Sequence, residues 1–112
     1  MNISFEEIGH LSVTLPAGSC QAGRICKVDA SGKAAACVSK EAFCGVAEAV
    51  RGDTAAVQIH GFVTQTYSGS VPVLGWCGLS ANGTGGVQSD GAAKPYLVVR
   101  VDTGKKTVTF EL

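Results

Sequence analysis

"TAAVQIHGFVTQTY", residues 54–67, decides the fold class of this 112-residue chain. Apolar residues, many of them β-branched or aromatic, alternate with polar ones through most of it, which is typical of a half-buried β-strand. It follows "FCGVAEAV", residues 43–50, across the short turn "RGD". This order of strand, turn and strand predicts a β-hairpin with a long second arm.

The alternation along this arm assigns its side chains to two faces. One face is expected to carry Val57, Ile59, Val63 and Tyr67, and the other Gln58, His60, Thr64 and Thr66. We therefore expect His60 to be a solvent-facing or interface residue, the alternative being a general base or metal ligand. Gly61 stands inside the arm and predicts a bulge, which would turn Phe62 inward.

Most of the rest of the chain shows the same pattern of short strands joined by tight turns. Strand-turn-strand patterns are predicted at residues 24–38, 74–89 and 96–112. The one helix candidate is residues 39–43, a single turn. These patterns predict an all-β fold, a single small β-barrel or sandwich-like domain of about 8 short strands with at most one short helical turn.

The last strand makes the clearest prediction of register. Alternation places Val108, Phe110 and Leu112 on the inner side, and Thr107, Thr109 and Glu111 on the outer side. Trp76, the one tryptophan, is predicted to anchor the core, with a subunit contact as the alternative.

We expect residues 16–112 to form a single β-barrel-like domain. Residues 1–15 are an extended N-terminal segment, either its first strand or an arm that adds a strand to a neighbour through apolar residues such as Ile3, Phe5 and Ile8. "CKVDASGKAAA" at residue 26 is similar to "CGLSANGTGGV" at residue 77. An old duplication and the common grammar of hairpins both explain this similarity.

The composition argues against several classes of function. Nine basic and nine acidic residues cancel, so nucleic acid and anionic membranes are not expected partners. Charged residues make up 16% of the chain, which hints that other subunits cover part of its surface. The first residues lack a signal-peptide pattern, so we expect the protein to stay in the cytoplasm where it is made, with reduced thiols.

No catalytic or metal-binding pattern is present. The five cysteines, at positions 20, 26, 37, 44 and 77, lack zinc or redox spacing and are predicted to be small buried side chains, although Cys20 and Cys26 could pair in air. His10 and His60 lie in different segments, and no serine or cysteine stands in a recognisable nucleophile elbow. We therefore expect no enzyme activity and no cofactor.

The order of "LPAGSCQAGRICKVDASGKA", "FCGVAEA", "VQIHGFV" and "GWCGLSANGTGGV", with a valine-rich terminal hairpin, resembles the small head-decoration (capsid cement) proteins of tailed bacteriophages and prophages. The resemblance covers most of residues 10–112. It implies a β-barrel-like fold, a homotrimer, and binding to the major capsid protein on the outside of the virion, where the protein bridges capsid subunits. It implies no active site.

This resemblance predicts a capsid decoration protein. Subunit or capsid contacts are expected from Ile3, Phe5, Ile8, His60, Phe62 and Trp76. The alternatives are a head-tail joining or tail ring protein, and a ligand-binding β-barrel whose pocket lies near Trp76 and Tyr96.

Overall fold

The computed structural model describes residues 9–112 and confirms an all-β fold. No helix occurs within that range. The first five strands are β1 (Leu11–Pro16), β2 (Ile25–Val28), β3 (Ala34–Ala36), β4 (Gly45–Arg51) and β5 (Thr54–His60). The second five are β6 (Phe62–Ser68), β7 (Gly75–Ala81), β8 (Val87–Ser89), β9 (Pro95–Asp102) and β10 (Thr107–Glu111).

The predicted long arm is two strands, because Gly61 divides it. Gly61 has a φ of 100°, which side chains other than that of glycine rarely tolerate. β5 before it belongs to one sheet and β6 after it to another. The predicted inward turn of Phe62 is wrong. Alternation restarts after Gly61 and buries Val63, which leaves Phe62 half-buried on the outer face of β6.

The two halves of the chain have the same strand order. We call β1–β5 the first unit and β6–β10 the second unit. The first unit is a five-stranded sheet with the order β1-β5-β4-β2-β3, and its edges meet at a parallel bridge between Ala17 and Ala34. The second unit is a closed barrel with the order β6-β10-β9-β7-β8, and β8 is parallel to β6 where the barrel closes. The order and the parallel closure are both repeated.

The pairing register is repeated as well. In the first unit Ile25 pairs with Val46, and Cys26 pairs with Gly45. In the second unit Trp76 pairs with Leu97, and Cys77 pairs with Tyr96. The equivalence of Cys26 and Cys77 is the one that the sequence similarity suggests. Repetition of both order and register goes beyond what hairpin grammar alone requires.

The two units have interiors of very different composition. The first unit is filled by small side chains, namely Cys20, Cys26, Ala34, Ala47, Ala55 and Val57. The second is filled by larger ones, among them Tyr67, Leu79, Tyr96, Val98 and Phe110. A barrel of five strands encloses little space, and small residues let the first unit's strands approach closely.

A connection from the first unit closes the second unit's interior. Phe43, which precedes β4, stacks on Tyr96 with ring centroids 5.1 Å apart and meets the edge of Phe110 at 5.9 Å. Backbone hydrogen bonds accompany this contact: Lys40 N donates to Ala81 O at 2.8 Å, and Ala81 N donates to Glu41 O at 2.9 Å. The units therefore share one apolar cluster.

The predicted helical turn at residues 39–43 is wrong; a tight turn occupies the segment. Glu41 N donates to Val38 O at 3.2 Å, and the Glu41 carboxylate accepts the Val38 N–H at 2.7 Å. Lys40 has a φ of 70°, in the left-handed region. Lys27 Nζ lies 2.6 Å from Glu41 Oε2. The Glu41 carboxylate therefore stabilises the turn and forms an ion pair with Lys27.

The predicted inner face of the last strand is confirmed for two of its residues. Val108 and Phe110 are fully buried, and Leu112, which follows β10, is half-buried. The prediction that Thr109 is exposed is wrong: it is 6% exposed, and its hydroxyl is hydrogen-bonded to that of Thr64 at 2.7 Å. Both faces of β10 are therefore covered at this position.

The register of β10 makes a prediction about stability. Phe110→Ala should lower the free energy of unfolding by about 3–5 kcal/mol, because it empties the centre of the aromatic cluster. Thr109→Ala should cost about 1–2 kcal/mol through loss of one buried hydrogen bond. Urea unfolding of both variants measures the difference. Equal losses would contradict the observed packing of β10.

Candidate functional site

The most prominent surface feature is the connection between β6 and β7, which carries exposed apolar side chains. Val71, Val73 and Leu74 are 52, 61 and 66% exposed. We call residues 71–74 the apolar tip. The equivalent connection in the first unit, "AGSCQAGR" at residues 17–24, carries no large exposed apolar side chain. The tip is therefore particular to the second unit, and hydrophobic side chains gathered in this way mark interaction surfaces.

Trp76, predicted for the core, lies on the surface instead. It is 71% exposed, because Cys77 takes the inward position and the pleat turns Trp76 outward. Cross-strand pairing places Leu97 beside Trp76, Glu111 beside Leu97 and Phe62 beside Glu111. We call these four residues the outer row. It lies across β7, β9, β10 and β6, with one carboxylate among three apolar side chains.

Large apolar side chains fill the interior of the second unit. Tyr96, Phe110 and Phe43 occupy its centre with mutual ring contacts. In the described part of the chain, every buried side-chain nitrogen or oxygen has a hydrogen-bond partner. A ligand inside this barrel would have to displace the core.

A cleft of about 620 Å³ lies between the units and reaches the core side chains of Phe43, Leu79 and Tyr96. Its lining includes Phe43, Cys44, His60, Asp90, Lys94 and Tyr96. Trp76 is not part of the lining, so the predicted pocket near Trp76 and Tyr96 is wrong as to Trp76. Lys94 Nζ lies 5.1 Å from the centroid of the Tyr96 ring, and Ser80 Oγ donates to Asp90 at 3.0 Å.

The charges at the cleft have mixed signs. The pKa of Asp90 is lowered by the Ala92 N–H and the Ser80 hydroxyl, so its carboxylate is ionised beside Lys40 and Lys94. Burial raises the pKa of Tyr96. No single charge dominates the cleft, which therefore selects neither anions nor cations.

The residues predicted as contacts fall in different places. His60 is exposed at the end of β5, which confirms its place on the polar face, and it lines the cleft. Phe62 and Trp76 share the outer row. Ile3, Phe5 and Ile8 lie outside the described residues. The role of all six as contacts stays a prediction.

Four of the five cysteines are buried, as predicted, and Cys44 is exposed. All five are free thiols, so the structure contains no bond between Cys20 and Cys26. Cys26 instead adjoins Cys44: the Cys44 N–H donates to Cys26 O at 2.9 Å, and each thiol shifts the pKa of the other. Sequence spacing could not reveal this pair, because pairing of β2 with β4 brings it together.

The paired thiols differ in acidity. The hydrogen bond from Cys26 lowers the pKa of Cys44 to about 7. The same bond, together with burial, raises the pKa of Cys26. Desolvation raises the pKa of Cys37 to about 11. Cys44 is thus the most nucleophilic of these three thiols at neutral pH.

Residues 9–112 contain no group of three or more His, Cys, Asp or Glu side chains placed to hold a metal ion. Within the same range no helix has the length and hydrophobicity that crossing a bilayer requires.

Comparison of the chain with protein-family models, with curated proteins and with solved structures finds no match. The resemblance to phage decoration proteins therefore remains a prediction from the sequence.

The thiol pair predicts a distinct alkylation profile. At pH 7, iodoacetamide should label Cys44 faster than Cys26 or Cys37, and the rate should have its midpoint at a pH of about 7. Cys26→Ala removes the donor and should raise that midpoint toward the ordinary thiol value of about 8.5. Mass spectrometry of the labelled peptides measures each rate. An unchanged midpoint in the variant would contradict the proposed donor.

Proposed function

We propose that this chain is a non-enzymatic structural protein of a tailed bacteriophage or prophage, which decorates the capsid exterior and stabilises it by bridging capsid subunits. The observation that carries the proposal is the apolar tip, which exposes three large side chains where the equivalent first-unit connection exposes none. The family resemblance supplies the identity of the partner, the major capsid protein.

The physical chemistry of the surface supports a role in assembly. A contact repeated by symmetry on a shell adds many modest free energies, so each copy needs only a small apolar anchor. The zero net charge avoids repulsion between copies packed densely on a shell. Because the barrel is filled, the ligand-binding alternative depends on the cleft between the units.

Ring size separates the capsid from the tail. A homotrimer, measured by light scattering behind a sizing column, supports capsid decoration. A hexamer or larger ring favours a head-tail joining or tail ring protein. A monomer that binds a small molecule in the cleft between the units would favour a ligand-binding protein.

The apolar tip makes a specific prediction for capsid binding. The double change Val73→Ser and Leu74→Ser should weaken co-sedimentation with expanded capsids of the encoding phage by about tenfold or more, since central apolar anchors dominate interface energies. Val50→Ser, an exposed apolar position on β4, is the matched control and should bind normally. Equal binding by wild type and the double variant would reject the tip as the contact.

A further inference from the structure

The first unit has a row of residues equivalent to the outer row of the second unit. The row in the first unit is buried, whereas the outer row is open to solvent. In the first unit, Ile25 pairs with Val46, which pairs with Gln58. These three residues are 2, 7 and 8% exposed. Their equivalents in the second unit are Trp76, Leu97 and Glu111, by pairing register. Trp76 is 71% exposed, so the row that is covered in one unit is open in the other.

The first unit's row is covered by the second unit of the same chain. Ile25 and Val46 belong to the apolar cluster built around Tyr96 and Phe110, not to the first unit's own core. Ile25 N also donates to Gly85 O, in the β7–β8 turn, at 3.2 Å. The row thus packs on the end of the second unit where β7 and β8 meet.

This contact joins different surfaces of the two units. A symmetric contact would bury the equivalent residue, Trp76, against the first unit, and Trp76 is instead exposed. The units are therefore packed head to tail. The end of a unit that receives the other unit's row is called the accepting end. A head-to-tail contact leaves the outer row of the second unit and the accepting end of the first unit unoccupied, at opposite extremes of the chain.

The unoccupied accepting end lies at the β2–β3 turn. In the second unit, Leu79 lies two residues after Cys77 on β7, is 1% exposed, and belongs to the apolar cluster that also contains Ile25 and Val46. Val28 has the equivalent place on β2, two residues after Cys26, and is 49% exposed. An apolar residue that is covered in one unit is again open in the other.

We propose that the outer row of one copy docks on the Val28 end of a second copy, and so repeats between chains the contact that joins the two units within a chain. This inference deepens the proposed function, since it supplies the self-contact of the oligomer. The large apolar side chains of Trp76, Leu97 and Phe62 would be buried by the neighbour. A contact of this kind closes into a ring when its rotation permits.

Two variants and their mixture test the proposal. Trp76→Lys disables the donating surface and Val28→Glu the accepting end, so each protein alone should be monomeric by light scattering. In an equimolar mixture, the intact Trp76 of one variant meets the intact Val28 of the other, and a dimer of one copy of each variant should appear, with no larger species. A mixture that stays monomeric would overturn the head-to-tail contact, as would a monomeric wild type.

Val50→Lys is the matched control, because it also places a charge at an exposed apolar site on a strand, outside both surfaces. It should assemble like the wild type. Thermal unfolding of every variant identifies any that fail to fold. Photo-crosslinking tests the same contact without changing Val28, so it does not depend on whether the Val28→Glu variant folds. Benzoylphenylalanine at position 76 of the otherwise native chain should capture the tryptic peptide of residues 28–33 from another copy. Capture only of peptides other than that of residues 28–33 would place the contact elsewhere and overturn the proposal.

Capsid binding separates failure of this inference from failure of the proposed function. A wild type that occupies capsids, beside a mixture of the two variants that stays monomeric, would leave the decoration function and remove the proposed self-contact. A wild-type ring that assembles through Trp76 and Val28 and does not bind capsids would keep the self-contact and remove the decoration function.

Discussion

The aromatic cluster of Phe43, Tyr96 and Phe110 is the contact on which the arrangement of the molecule depends. Phe43 comes from the first unit, and the other two line the interior of the second. Three rings in stacked and edge-to-face contact stabilise packing beyond the burial of their area. Because one ring crosses from unit to unit, the second unit's core is complete only when the first is in place.

The same constraint explains the unequal interiors. The second unit receives an aromatic ring from outside and needs a wide interior, whereas the first receives none and closes on alanine, cysteine and valine. Gly45 has the position of Tyr96 in the register, and a Cβ at Gly45 would collide with the carbonyl oxygen of Gln58. The buried cysteines Cys20 and Cys26 are filling groups of suitable size in this tight interior.

Local pattern was a good guide to strands and a poor guide to which face is covered. The hairpins, the turns and the inward places of Val108 and Phe110 follow from alternation and turn chemistry. Alternation could not reveal that Thr109 is also buried, because its cover depends on packing beyond its own strand. The prediction that Trp76 anchors the core was wrong for the opposite reason. Its size favours burial, but Cys77 takes the inward position on β7 and so turns Trp76 outward.

The candidate surfaces were still less accessible to sequence reasoning. Gly61 predicts a bulge, and only the complete set of strand pairings reveals that it separates two units of equal topology. The exposure of Trp76 acquires meaning only beside the burial of Ile25. The sequence similarity that begins at the next residues, Cys26 and Cys77, does not indicate which of the two positions is covered. The cleft also requires both units, since β5 and β9 each contribute to its walls.

The repeated strand order has a geometric consequence for a shell. Each chain carries two similar five-stranded bodies, so an assembly with threefold symmetry in its chains has six bodies around its axis. The two kinds of body differ in their tips and cores, so the sixfold character is approximate. Such an object can match a surface of threefold symmetry through its chains and one of sixfold symmetry through its bodies. In such an assembly, three polypeptides would give a hexagonal outline.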